Sequence, residues 1–168
     1  MTFHACCRGP QALSTEFTPQ GVTDHMACLF ERAIEHFPPS SEEERLRWTW
    51  VVDVHGFALR HTNPATSIEL LQLLECAYPE RLKRMLIVDA PSLFFGLWNV
   101  IKPLLREKTR SKIEFVRWEE ASGRYEDLFG HEVAQRLVTE GRENRDKAVA
   151  GQKCWTTFYA DPAAYDDA

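Results

Sequence analysis

Apolar positions in this chain follow two rhythms, and the switches between them mark its elements. From Asp24 onward, Met26, Leu29, Phe30, Ala33, Ile34 and Phe37 recur at i, i+3, i+4, i+7, i+8 and i+11, the single stripe of an amphipathic helix, which Pro38 and Pro39 stop. Residues 48–54 are instead rich in aromatic and β-branched side chains, broken only by Asp53. Such a run predicts a strand apolar on both faces, and therefore a parallel sheet covered on both sides. Asn63 and Pro64 supply an N-cap and a first-turn proline for a helix through about Cys76, with Ile68, Leu71, Leu74 and Tyr78 as its buried stripe. Residues 85–88 read as a second buried strand, which completes a βαβ unit. An apolar helix over 93–105 and a strand at Ile113–Val116 repeat the step, so the expected class is α/β with three parallel strands. Residues 120–147 predict one long amphipathic helix, with Leu128, Phe129, Val133 and Leu137 opposite a dense charged face.

The ends follow neither rhythm. Gly9, Pro10, Pro19 and Gly21 mark 1–23 as a loose lead-in, 24–150 reads as one domain, and 151–168 is a tail without a clear period.

The helix over 93–105 departs from ordinary amphipathic design. Leu93, Phe94, Phe95, Leu97, Trp98, Val100, Ile101, Leu104 and Leu105 leave almost no polar face before Pro103 disturbs the helix. A helix apolar all round is either surrounded by core or faces a hydrophobic medium. Periodicity leaves two readings open here, a fully buried core helix or a lid over an apolar cavity.

Length and composition narrow the picture. A chain of 168 residues, 44% hydrophobic and 27% charged, is enough for a single globular core. Its formal net charge of -5 argues against nucleic acid as a general partner. That charge is unevenly spread, because between Arg81 and Arg117 nine Lys or Arg face three Asp or Glu. A basic segment on an acidic protein suits phosphate head groups, although a solvated mixture of charges would look the same. The five cysteines are odd in number and show no CxxC pair, so they read as free thiols of a reducing compartment. With no secretory h-region and no run of about 18 apolar residues, the expected location is cytoplasmic, with any membrane contact peripheral and transient.

Candidate chemistry is sparse. Asp53, His55 and Gly56 form a DxHG tetrapeptide at a strand end, where metallophosphoesterases keep their first metal ligands, but the further ligand motifs of a dinuclear site are missing. The plainer reading has Asp53 hydrogen-bonding the following turn and Gly56 permitting a tight bend. Nucleophile elbows, phosphate-binding loops and dinucleotide fingerprints are absent, and Cys76 is better read as a small buried thiol of its helix stripe than as the nucleophile of a catalytic pair with His61. No catalytic residue, no metal and no enzyme are expected.

Residues 48–116 carry a more specific signal: VVDVHGF at a strand end, YPERL in a turn, then VDAP, IKP and SKI in one ungapped run. The combination resembles the CRAL-TRIO lipid-binding domain, the family of the phosphatidylinositol-transfer and tocopherol-transfer proteins. The resemblance implies a parallel-sheet floor with flanking helices, enclosing an apolar lipid pocket under a mobile gate helix. It favours the lid for the helix over 93–105, with Leu93, Phe94, Phe95, Leu97, Trp98 and Ile101 as gate and pocket residues and Trp48, Trp50 and Val52 as pocket floor.

Members that hold phosphatidylinositol use the Glu of PER and the Lys of SKI at the head group, which implies Glu80 and Lys112 here. An ammonium can pair with phosphate while a carboxylate accepts hydroxyl groups. The alternative is that Glu80 and Lys112 only pair with neighbouring charges. Trp48 and Trp50 stand where choline-lipid relatives carry small hydroxyl residues, Asp89 replaces the Asn of NAP, and the usual N-terminal helical bundle and GG-containing C-terminal stretch are missing. The implied ligand is a phosphoinositide or another hydrophobic molecule, with no cofactor beyond that bound lipid, presented or transferred at a membrane surface. The alternative is a minimal or truncated domain that no longer holds lipid and serves as a protein-interaction module.

Overall fold

The computed structural model describes residues 2–3, 21, 23–24, 26–28, 30–31, 47–57, 64–78 and 80–146. The proposed helix stop at Pro38 and Pro39, the N-cap Asn63, the His61 ring, the cysteines Cys6, Cys7 and Cys154, and the tail 151–168 lie outside them. The two described cysteines, Cys28 and Cys76, are exposed free thiols, so Cys76, the last residue of its helix, is not the buried thiol that its place in the stripe suggested.

Four parallel strands lie side by side in chain order: β1 (Thr2–Phe3), β2 (Trp48–Asp53), β3 (Leu82–Val88) and β4 (Ile113–Val116). The sequence pattern predicts three. The additional edge strand is two residues long, too short for any periodicity to reveal, and pairs Thr2 with Thr49 and Phe3 with Trp50. Between β2 and β3 the register slips so that Trp48 opposes Leu82 while Thr49 opposes Arg84. The extra residue lets Leu82 and Met85 both face the side of Trp48 and Trp50, where strict alternation would have sent them to opposite faces.

A helical segment α1, with described residues between 21 and 31, and α2 (Pro64–Cys76) cover that face. Met26 and Phe30 of α1 pack with Trp48, Trp50, Tyr78 and Leu82, flanked by Leu70, Leu73 and Leu74 of α2. The opposite face presents Val51, Leu86, Val88 and Val116 to α5 (Trp118–Phe129) and α6 (His131–Arg145). The doubly covered sheet expected from the continuous apolar strands is therefore realised.

Two helices differ from the pattern-based expectation. The stretch over 93–105 is α3 (Ser92–Ile101) followed by a 3-10 turn at Lys102–Leu104, as the ring of Pro103 and its missing N–H require. The single helix expected over 120–147 is split into α5 and α6 by Gly130, whose φ of 80° lies in the left-handed region that glycine adopts without a Cβ clash. A short helix α4 (Glu107–Arg110) leads from α3 to β4.

Candidate functional site

Each of the three longer strands is preceded by a charged residue, Arg47 before β2, Glu80 close before β3 and Lys112 before β4. Parallel pairing brings these positions to one edge of the sheet. Backbone bonds fix them there: Trp48 N–H donates to Arg81 O at 2.8 Å, and Met85 N–H donates to Lys112 O at 2.9 Å. Glu80 has a φ of 61°, unusual for a residue with a side chain. Its carboxylate lies 2.8 Å from Lys108 Nζ and 3.8 Å from Lys112 Nζ. The hydrogen bond from Lys108, with the charges of Lys112 and Arg47 behind it, holds the Glu80 carboxyl below the usual glutamate range. Three cations around one carboxylate leave a net positive edge suited to a phosphate. Lys112 is the more enclosed amine, with 21% of its side chain exposed against 69% for Lys108.

Glu80 and Lys112, paired by the resemblance, are thus neighbours, and Lys108 and Arg47 join them. Sequence reasoning missed the last two as site residues. Lys108 carried a signal in the basic turn before SKI, whereas Arg47 had only its place one residue before a strand.

Trp48 and Trp50, with Val52 beside them, form one cluster on one sheet face, as their two-residue spacing dictates. Phe30 stacks on Trp48 with ring centroids 4.8 Å apart, and it meets Trp50 and Tyr78 edge-on. The Tyr78 hydroxyl donates to Glu31 Oε1 at 2.5 Å, and burial together with that carboxylate pushes its pKa up to about 12. The two indole Nε1 atoms are buried and have no hydrogen-bond acceptor among the described residues.

The proposed gate residues divide between two sides of α3. Leu97 and Ile101 are buried and pack with Leu105, Phe57, Leu71 and Ile113. Phe94, Phe95 and Trp98 surround Phe115 of β4, with centroids 6.2, 5.0 and 5.4 Å away. Leu93 and Phe95 are 41% exposed, Val100 56% and Leu104 55%. The helix therefore closes over the sheet with one side and turns apolar side chains outward with the other.

At the opposite edge of the sheet a second charged group meets. Asp53 Oδ1 accepts from the His55 backbone N–H at 3.0 Å, and Gly56 has a φ of 75°, the turn read from the tetrapeptide. Asp53 also pairs with Arg145, and Asp89 receives both Arg145 and His55 Nδ1. Arg145 had no local signal, because on the charged face of its helix it looks like any solvated arginine. Among the described residues no three His, Cys, Asp or Glu side chains form a metal-ligand group.

A parallel sheet with helices on both faces, an apolar helix folded over one face and a cationic edge beside it define a small α/β domain built around hydrocarbon. The family model described as "CRAL/TRIO domain" matches residues 9–135, and the chain belongs to that family, one of lipid-binding and lipid-transfer domains. It is similar to the CRAL-TRIO domain-containing protein T23G5.2 of Caenorhabditis elegans, 38% identical over 68 residues. It is also similar to Protein real-time of Anopheles gambiae, 37% identical over 73 residues, and of Drosophila melanogaster, 34% identical over 77 residues. Those alignments cover 39%, 40% and 44% of this chain but only 10%, 11% and 12% of the relatives, so the chain spans about a tenth of their length. The crystal structure of Sfh5 superposes with a TM-score of 0.63 at 17% identity, covering 83% of this chain and 53% of that one, a likeness of fold.

Proposed function

We propose that this domain binds a phosphoinositide and presents or transfers it at a membrane surface, by ligand exchange without bond chemistry. The supporting observation is the meeting of Glu80 and Lys112 at 3.8 Å, beside Lys108 and Arg47, on the edge of the sheet that α3 closes over. A phosphate can pair with Lys112 and Lys108 while Glu80 accepts head-group hydroxyls. The exposed apolar residues of α3 supply a surface for lipid contact, and no helix among the described residues is long and apolar enough to cross a membrane.

A second reading, a protein-interaction module without lipid, is favoured by one feature. Phe30 and Met26 of α1 already lie against Trp48 and Trp50, so the chain's own side chains cover part of the proposed floor. Organic extraction and mass spectrometry of lipid copurifying with the protein, followed by vesicle competition between phosphatidylinositol and phosphatidylcholine, separates the two. Stoichiometric lipid with preference for the inositol lipid supports the first reading. Absence of lipid and of uptake supports the second.

A further inference from the structure

We propose that Asp89 is a positioning residue that controls the opening of α3: Arg145 and His55 hold its carboxylate at the joint where β3 passes into the helix, and the lid lifts from that end when the carboxylate is released. The proposal rests on the lid reading of α3 and adds what governs its movement.

The two halves of α3 are held by different means. Its buried side chains, Leu97 and Ile101, both lie in the second half, where they pack with Leu105, Leu71 and Ile113. The first turn, Ser92–Phe95, buries none, and no side chain caps it. Leu93 and Phe95 are exposed, and Phe94 meets the rings of Phe57 and Phe115 edge-on. An end with so few buried contacts opens more readily than the rest of its element.

Asp89 supplies the hold that packing does not. It follows Val88, the fully buried end of β3, and stands three residues before the first residue of α3. Its backbone N–H donates to Val116 O at 2.9 Å, and its φ of 58° lies in the left-handed region that a residue with a side chain rarely enters. Such a conformation persists where the surroundings fix it. Here Asp89 Oδ2 accepts from Arg145 Nη2 at 2.9 Å and lies 2.7 Å from His55 Nδ1. Arg145 is itself anchored, donating to Gly141 O at 2.8 Å and lying over the Trp118 ring. His55 belongs to the turn that carries Phe57, so its contact with Asp89 and that of Phe57 with Phe94 join the same two segments.

Arg145 does not need Asp89 for charge balance. Asp53, 8% exposed, already pairs with it at 2.7 Å. The side chain of Asp89 is 33% exposed, and parting it from Arg145 leaves no buried cation unpaired. This contact can therefore open while the sheet and α6 stay closed.

Hydrogen exchange read by mass spectrometry on the full chain, comparing wild type with Asp89→Asn, is the test. Asparagine enters the left-handed region and still accepts a hydrogen bond, but carries no charge. Exchange in α3 is expected to rise roughly fivefold or more, the difference between a charge-assisted and a neutral hydrogen bond. The strands β3 and β4 and the helix α6 should keep their protection, and the melting temperature should stay near that of wild type. Movement of labelled phosphatidylinositol between vesicles should quicken with its final distribution unchanged, because Asp89 touches the lid's joint and not the lipid. His55→Gln removes one of the two holds, should act in the same direction more weakly, and serves if Asp89→Asn does not fold. Unchanged exchange in α3, or protection lost equally from every element, overturns the inference. Faster exchange in α3 with lipid moving at the wild-type rate, or with no lipid taken up by either protein, leaves Asp89 as the hold on α3 and overturns the lid reading instead.

Discussion

The guanidinium of Arg145 lies 2.7 Å from the carboxylate of Asp53, tying the last turn of α6 to the end of β2 across 92 positions of chain. The same guanidinium reaches Asp89 at 2.9 Å, donates to Gly141 O and lies 3.7 Å over the ring of Trp118. Asp53 is 8% exposed, so its charge has little water to fall back on. Arg145→Met should therefore destabilise the fold by about 3 to 5 kcal/mol, the usual result of leaving a buried charge unpaired. Urea unfolding measures the loss. His55→Ala, which removes a half-exposed partner of Asp89, should cost about 1 kcal/mol or less.

Gly141 marks where α6 comes closest to Trp118. A Cβ placed there would stand 2.5 Å from two ring carbons, and the ring is held under Arg145. Gly141→Ala gains about 1 kcal/mol of helix propensity but overpacks the contact by about 1 to 3 kcal/mol. A lowered melting temperature is the expected result. A raised one would mean that the ring moves aside freely.

Lys112→Ala should weaken phosphatidylinositol binding roughly tenfold or more, since a charge-assisted bond contributes about 1.5 to 3 kcal/mol. Uptake of a neutral hydrophobic ligand should be nearly unchanged. Equal weakening of both ligands would make Lys112 a structural residue.

The two sides of α3 predict opposite phenotypes. Leu93 and Val100 of the helix and Leu104 of the 3-10 turn that continues it are exposed, so aspartate at these positions should reduce flotation with anionic vesicles while circular dichroism stays native. Leu97, 8% exposed within the cluster around Ile101, should instead lose the fold when replaced by aspartate. Undiminished flotation of a folded Leu93→Asp, Leu104→Asp variant would remove α3 from the membrane contact.

Glu114 provides a pH dependence whose sign can be stated. The hydrogen bonds from Arg124, with the charge of Arg84, hold its carboxyl below the usual glutamate range. The unfolded chain then binds the proton first, near the ordinary value of about 4.3. The stabilisation is complete above that pH and fades as the pH falls through the lower folded value. Glu114→Gln should flatten this part of the acid limb in urea midpoints measured against pH.

Residues whose environment is set by near neighbours were legible in the sequence. The apolar run at 48–54 became β2, Ile113–Val116 became β4, Pro64 opened a helix ending at Cys76, and Asp53 with Gly56 made the predicted turn. Strand hydrophobicity, proline geometry and turn chemistry act over a few residues, and their cost is the same in any fold. The motif run from YPER to SKI likewise carried the family.

What the chain order could not supply is which distant groups share a place. The two-residue β1 needs the edge of β2 to exist, and Gly130 divides a charged stretch only because α5 and α6 both fold back on one sheet face. Arg145 looks solvated until the ends of β2 and β3 place Asp53 and Asp89 around it. Arg47, Glu80 and Lys112 become one cationic edge only when parallel pairing aligns the starts of three strands. The same pairing buries Trp48 and Trp50, whose indole N–H groups find no acceptor among the described residues, and turns an all-apolar helix into one with an inner and an outer side. Local rules therefore determined the elements and the family, because they depend on covalent geometry and short-range burial. Electrostatic pairing and hydrogen-bond satisfaction depend on distances through space, and those were decided by the tertiary fold.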